Sequence, residues 1–239
     1  SFGNEKDVYL SILYFENCNL GNTDFFSNLQ NLKSLVFWDT EISDIGFLSE
    51  LGDLKSLCIS GAGIENAEIV SSLTSLESLT LSRNPLGDVS YLSALDNLTE
   101  LDISECNADS IDFIGGMTGL KAFNASDNSI SDISVLSGMT GLEGFGASNN
   151  SISDISVLKG LDKLESLSVA GNKIENIDVI AELKSIEYCD ISGNRISDIS
   201  VLGNCASLKR VNPYGNLIDD EKLAEFAESF PEIKIVCGE

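Results

Sequence analysis

The hydrophobic residues of this 239-residue chain recur every 22 positions over almost its whole length. The stretch NSISDISVL at 128–136 returns unchanged at 150–158, and a near-copy, NRISDISVL, stands at 194–202. Internal repetition on this scale predicts a repeat architecture, because a single short unit cannot bury its own apolar residues and must stack on its neighbours.

With Leu29 as position 1 and a step of 22 residues, positions 1, 4, 7, 14 and 20 are apolar in nearly every repeat. Positions 6 to 9 alternate between polar and apolar residues, which predicts a short strand in each repeat. Parallel strands lie about 4.8 Å apart, so ten or eleven of them form a curved sheet about 50 Å long.

Position 12 is polar and is expected to point inward, where an amide can satisfy the backbone groups of a turn. Asparagine occupies it as Asn84, Asn128, Asn150, Asn172, Asn194 and Asn216. In the N-terminal half it is replaced by Cys18, Thr40, Ala62 and Cys106. Losing such a buried partner costs roughly 1–3 kcal/mol, so we expect the N-terminal half to be less rigid.

The pattern L-x-x-L-x-x-L-x-L-x-x-N-x-I-x-x-I-x-x-L resembles the leucine-rich repeat of internalin-like bacterial surface proteins. The resemblance covers residues 7–216 as nine full repeats and a partial tenth. It implies an α/β repeat solenoid, an arc with a parallel concave β-sheet and with turns and 3-10 segments on the convex side. Residues 1–6 are expected to be a lead-in that either begins the mature protein or belongs to a longer chain.

After Asn216 the repeat breaks, and residues 217–239 are expected to cap the stack. Leu223, Phe226, Ala227 and Phe230 fall on one helical face, and the residues after them resume the strand spacing. This predicts a C-terminal cap made of a helix and a last strand.

The net charge of the chain indicates which classes of partner it can bind. Fourteen Lys and Arg stand against 38 Asp and Glu, giving a formal net charge of −24. Such a surface repels phosphate backbones and anionic membranes, and no apolar run is long enough to insert into a bilayer. The expected partner is a protein of unknown identity, with a basic surface as the charge-complementary choice, and the chain itself is expected to be a monomer.

The composition also disfavours catalysis. The chain has no histidine, and its six cysteines lack C-x-x-C spacing, so we predict no enzyme activity, no cofactor and no metal site. One carboxylate per turn in the SDIS fragments is a poor set of ligands for calcium. Whether a disulfide forms among Cys189, Cys205 and Cys237 is open.

On the resemblance, positions 6, 8 and 10 project from the concave face, and three groups of them depart from the repeat. The predicted partner-binding residues are Tyr14, Val36 and Trp38; Glu100 and Asp102; and Tyr188, Arg210 and Tyr214. Exposed aromatic side chains commonly anchor interfaces, although those near the N-terminus could equally cover the bare end of the stack.

Three functions are compatible with these observations. The first is a non-enzymatic protein-recognition module with a rigid concave surface. The second is a structural spacer within a larger multidomain protein, and the third is a cation-dependent carbohydrate binder that uses the acidic residues. The resemblance implies a cell-surface or secreted protein, with a cytoplasmic location as the alternative.

Overall fold

The computed structural model describes residues 10–42 and 44–236, so the lead-in at 1–6 and Cys237 lie outside the described residues. Eleven parallel strands form one sheet, and each strand pairs in register with the equivalent strand of the next repeat, as Leu57 does with Leu79. Two further strands, β2 and β4, pair separately. The strands are β1 (Ile12–Glu16), β2 (Asn19–Leu20), β3 (Ser34–Trp38), β4 (Glu41–Ile42), β5 (Ser56–Ser60), β6 (Ser78–Thr80), β7 (Glu100–Asp102), β8 (Ala122–Asn124), β9 (Gly144–Gly146), β10 (Ser166–Ser168), β11 (Tyr188–Asp190), β12 (Arg210–Asn212) and β13 (Lys234–Ile235).

Short 3-10 helices return the chain on the opposite side of the stack. They are η1 (Asp24–Asn28), η2 (Gly46–Glu50), η3 (Glu68–Ser72), η4 (Ser90–Ala94), η5 (Asp112–Gly116), η6 (Ser134–Gly138), η7 (Ser156–Leu158), η8 (Asp178–Glu182) and η9 (Ser200–Asn204). The predicted solenoid, with a parallel sheet on one side and 3-10 segments on the other, is confirmed.

The repeated SDIS fragment has a structural role in these returns. In each repeat an Asp, Asn or Ser stands two residues before the first helical residue, and its side-chain oxygen accepts that residue's backbone N–H, as Asp154 does from Ser156 at 2.8 Å. This local bond satisfies an N–H that the helix itself leaves unpaired. The carboxylates of SDIS are therefore capping groups.

The leucines and isoleucines of successive repeats form one continuous core, and the position-12 asparagines lie beside it. The Asn172 side-chain nitrogen donates to the carbonyls of Ala147, Val169 and Ala170 at 2.9–3.1 Å. Its oxygen accepts the Ile152 N–H at 2.9 Å. Two of these four hydrogen bonds, to Ala147 and from Ile152, join Asn172 to the repeat before it, and the other two satisfy carbonyls of its own turn. The inward-pointing asparagine is therefore confirmed.

The repeats without asparagine are held differently. The Thr40 hydroxyl donates to the Trp38 carbonyl at 3.0 Å within its own repeat, and its oxygen lies 3.6 Å from Cys18 Sγ in the repeat before. Phenylalanine rings fill the core here, with the Phe26 ring centroid 5.7 Å from Phe15, 5.7 Å from Phe37 and 4.3 Å from Phe47. Aromatic packing and the β2–β4 pair therefore replace the asparagine bonds at this end.

The C-terminal cap has the predicted form. Helix α1 (Asp220–Ser229) buries Phe226, whose ring centroid lies 5.0 Å from that of Phe230. Strand β13 then pairs with β12 and ends the sheet. Within the described ranges, no helix combines the length and the apolar character needed to cross a bilayer.

Candidate functional site

The concave face is bounded by a sharp turn at position 11 of every repeat. All ten residues there have a positive φ, whatever their type. They are Asn17, Asp39, Gly61, Arg83, Glu105, Asp127, Asn149, Gly171, Gly193 and Gly215. Because the chain leaves the sheet at this turn, the side chains at positions 6, 8 and 10 make up the exposed concave surface.

The first predicted group lies on β1 and β3 as an apolar patch. Tyr14 pairs in register with Val36, and Glu16 pairs with Trp38. Tyr14 is 57% exposed and Trp38 is 40% exposed, while Val36 between them is partly buried. The structure therefore brings these three residues together on one part of the concave face.

Arg83, which the sequence pattern did not indicate, contacts the N-terminal patch formed by Tyr14, Val36 and Trp38. The Arg83 guanidinium carbon lies 5.2 Å from the centroid of the Trp38 ring, and Arg83 Nη2 lies 2.7 Å from Asp39 Oδ1. This cation–π contact and ion pair hold one side of the indole. The signal in the sequence is the position-11 column, where Asp39, Gly61 and Arg83 stand in consecutive repeats.

The second predicted group is the carboxylate pair on β7. Asp102 Oδ1 accepts the backbone N–H of Ser104 at 2.8 Å and its hydroxyl at 2.7 Å, and Glu100 Oε2 accepts the Ser78 hydroxyl at 3.1 Å. The Asp102 carboxylate also adds to burial, the larger cause, in raising the pKa of the Cys58 thiol to about 11. Cys58 is consequently a protonated thiol at neutral pH.

The third predicted group lies at the other end of the sheet. Tyr188 and Arg210 pair in register, and the Arg210 guanidinium carbon lies 5.2 Å from the Tyr188 ring centroid. Tyr214 follows β12 and is 45% exposed. A depression of about 590 Å³ at this end also includes the charged residues Glu165, Glu187, Asp190 and Lys209, which were not predicted.

These three groups do not form one compact site. Seven strand steps separate β3 from β11 in the sheet, which is about 34 Å at the usual strand spacing. A partner that contacts both aromatic ends must therefore span most of the concave surface.

Over the described ranges, no cluster of three or more Cys, Asp or Glu has metal-binding geometry. Cys189 and Cys205 are buried free thiols, and burial raises the pKa of both. A pairing with Cys237 falls outside the described residues.

Comparison with known families agrees with the repeat. A family model described as a BspA type leucine rich repeat region matches residues 10–129. A second model, described as leucine rich repeats, matches residues 140–182. A search of curated proteins gives no match.

Solved structures with a similar fold include two internalins of Listeria monocytogenes. Internalin InlF is 25% identical over 95% of this chain and 79% of its own, with a TM-score of 0.68. Internalin C2 is 27% identical over 85% of this chain and 80% of its own, with a TM-score of 0.65. The ectodomain of the Arabidopsis thaliana receptor kinase GASSHO1/SCHENGEN3, at 20% identity over 95% of this chain and 29% of its own, shares the fold with a TM-score of 0.75.

Proposed function

Because the chain belongs to the leucine-rich repeat proteins and resembles bacterial internalins, we propose that it is a non-enzymatic module that binds a protein partner on its concave sheet. The observation that carries the proposal is the exposure of Tyr14, Trp38 and Tyr214 on a face whose other side chains are mostly small and polar. Large, rigid aromatic side chains are the usual anchors of protein interfaces.

The architecture supports binding without rearrangement. Strands paired in register and turns closed by local hydrogen bonds hold the concave side chains before a partner arrives, which lowers the entropic cost of association. The net charge of −24 favours a partner with a basic surface. The solved structure of the receptor-kinase ectodomain is a complex with CASPARIAN STRIP INTEGRITY FACTOR 2, an example of this fold engaging a ligand.

The internalin resemblance further supports a bacterial cell-surface or secreted protein as the setting of this module. We expect the chain to act there as a monomer, because its high negative charge opposes self-association at moderate salt.

The test is capture of partners by the immobilised chain, measured by quantitative mass spectrometry for wild type, Trp38→Ala and Tyr214→Ala. We expect a set of proteins enriched by wild type to be lost with at least one variant, while circular dichroism shows that both variants remain folded. Phe25→Ala, which removes an exposed aromatic side chain from 3-10 helix η1 on the convex side, is the matched control and should not change capture.

A spacer would give a different result. Wild type and both concave variants would then capture the same proteins in the same amounts, or none above background. Either outcome would contradict the recognition proposal.

A further inference from the structure

Strand β9 carries two glycines that the fold does not require. Gly144 and Gly146 lie in a strand and are absent from the residues with positive φ, so any L-residue can adopt their backbone conformation. A Cβ on Gly144 would meet no atom within 4 Å. A Cβ on Gly146 would lie 2.9 Å from Asn124 Oδ1, so the Asn124 side chain would have to shift to make room for it.

Both glycines are expected to lower the stability of the strand in which they lie. Glycine in a strand loses more backbone entropy on folding than other residues and packs no side chain. Their backbone groups are already paired, with the Gly144 N–H donating to Lys121 at 2.9 Å and the Gly146 carbonyl accepting from Ala125 at 2.7 Å. What they add is a low floor on the concave face, open to close van der Waals approach.

The low floor lies beside two carboxylates that have no counter-ion among the described residues. Among the described residues, no Lys or Arg nitrogen lies within 4.0 Å of Glu100 or Asp102. The nearest lysine in the register, Lys121, pairs with Glu143 at 3.4 Å. Each carboxylate has one oxygen held by serine and a second oxygen without a hydrogen bond to any residue that the structure describes.

The two features are joined in one depression. A depression of about 490 Å³ runs across strands β6 to β10, and Glu100, Asp102, Ala122, Gly144 and Gly146 all line it. Strand β9 lies two strand steps from β7, about 10 Å, so only a long side chain reaches the carboxylates from a backbone resting over the floor.

We propose that this depression receives an arginine side chain of the protein partner, with its aliphatic stem across Gly144 and its guanidinium on Glu100 and Asp102. The inference rests on the proposed function, because it assigns a chemistry to the partner of the concave face. Arginine fits because its planar guanidinium offers five N–H donors and binds carboxylate oxygens in pairs. Charge complementarity between this unpaired acidic surface and a cationic segment selects the occupant.

The experiment uses acetyl-Arg-Ser-Arg-amide as the probe, titrated into the ¹⁵N-labelled chain and followed by NMR. We expect saturable shifts of the Gly144 and Gly146 amide signals, and no such shifts with the same peptide carrying neutral citrulline. Glu100→Gln/Asp102→Asn and Gly144→Leu should each weaken binding at least fivefold. Gly144→Leu is expected to fold, since an added Cβ meets no atom within 4 Å and the backbone conformation is open to any L-residue.

Matched controls separate this contact from general attraction to an acidic protein. Asp132→Asn/Asp154→Asn changes the net charge by the same amount on the convex side, and Gly138→Leu adds the same side chain at a glycine whose Cβ also meets no atom. Neither should change the affinity. Absence of shifts at the two glycines, or equal weakening by the controls, would overturn the inference.

Failure here is distinguishable from failure of the proposed function. If proteins captured by wild type are lost with Trp38→Ala yet are retained by Glu100→Gln/Asp102→Asn and Gly144→Leu, the concave face binds a partner but not through this arginine. If nothing is captured, the recognition proposal itself fails.

Discussion

At the residue scale, the turn that precedes each 3-10 helix has the same geometry in several repeats. Its exposed aspartates should therefore contribute to the stability of the folded chain at low pH. The pKa values of Asp88, Asp132, Asp154 and Asp198 lie below the usual 3.8, because each carboxylate accepts the backbone N–H of the serine two residues later and then its hydroxyl. Each carboxyl group has a lower pKa in the folded chain than in the unfolded chain. Its contribution to stability is therefore complete above the unfolded-state pKa and is lost as the pH falls through the folded-state pKa.

Replacing these four aspartates by asparagine should therefore flatten the acid limb of the stability curve. Asparagine keeps a capping oxygen but does not titrate in this range. Between about pH 5 and about pH 2, the melting temperature of the wild type should fall further than that of the variant. Parallel curves over that interval would contradict the role assigned to these carboxylates.

Replacing a buried asparagine should lower the free energy of unfolding more than replacing an exposed one. Asn172→Ala removes four hydrogen bonds and leaves the Ile152 N–H buried without its partner, which should cost about 3 kcal/mol in the free energy of unfolding. Asn97→Ala is the control, because Asn97 is exposed and makes one bond, to the Thr74 carbonyl, so it should cost about 0.5 kcal/mol. Urea unfolding measures both, and equal losses would contradict the prediction.

At the scale of one strand and its turn, Gly61 links backbone conformation to the N-terminal patch. Gly61 has a φ of +62°. An added Cβ would clash with Asp39 Oδ1 and would lie 3.2 Å from Arg83 Nη2. The ion pair of Asp39 and Arg83 thus passes directly over a residue without a side chain.

Gly61→Ala should break this ion pair and move Arg83 off the Trp38 ring, in addition to its backbone strain. Gly63→Ala is the control, since Gly63 has a φ of +71° and open space at its Cβ, and should show only the strain of about 1–2 kcal/mol. Trp38 is the single tryptophan of the chain, so its fluorescence reports the difference. An emission spectrum that changes equally in both variants would contradict the coupling.

The elements show what a repeat in the sequence can and cannot predict. The 22-residue period predicted the strands and the inward asparagines, because burial repeats with the period. The C-terminal helix was predicted instead by the helical spacing of apolar residues after the last repeat. It could not place Arg83 over Trp38, since that contact depends on a left-handed turn two repeats away whose side chains vary in type. Nor could it show that Gly144 is free of steric need, which requires the positions of its neighbours.

At the scale of the whole molecule, the two halves of the stack are joined by different interactions. From Asn84 onward, most repeats send an amide nitrogen to the carbonyls of the repeat before, as Asn172 does to Ala147. Before Asn84 the described residues join neighbouring repeats through the strands, the phenylalanine rings and the β2–β4 pair, in which the Glu41 N–H donates to Cys18 at 3.1 Å. Ring packing supplies no partner to the backbone N–H and carbonyl groups, so we expect it to restrain backbone opening less than a hydrogen bond between repeats.

This difference predicts a gradient of hydrogen exchange along the arc. The Ile152 N–H is buried and bound to Asn172, so it should exchange much more slowly than the N–H of Glu41, an exposed residue in a two-residue strand. NMR-detected exchange in the native state compares the two amides directly, and Asn172→Ala should accelerate exchange at Ile152 while leaving Glu41 unchanged. If the slowest amides lie in β3 and β4 instead, then aromatic packing outweighs the asparagine bonds, and the N-terminal half is the more rigid part of the stack.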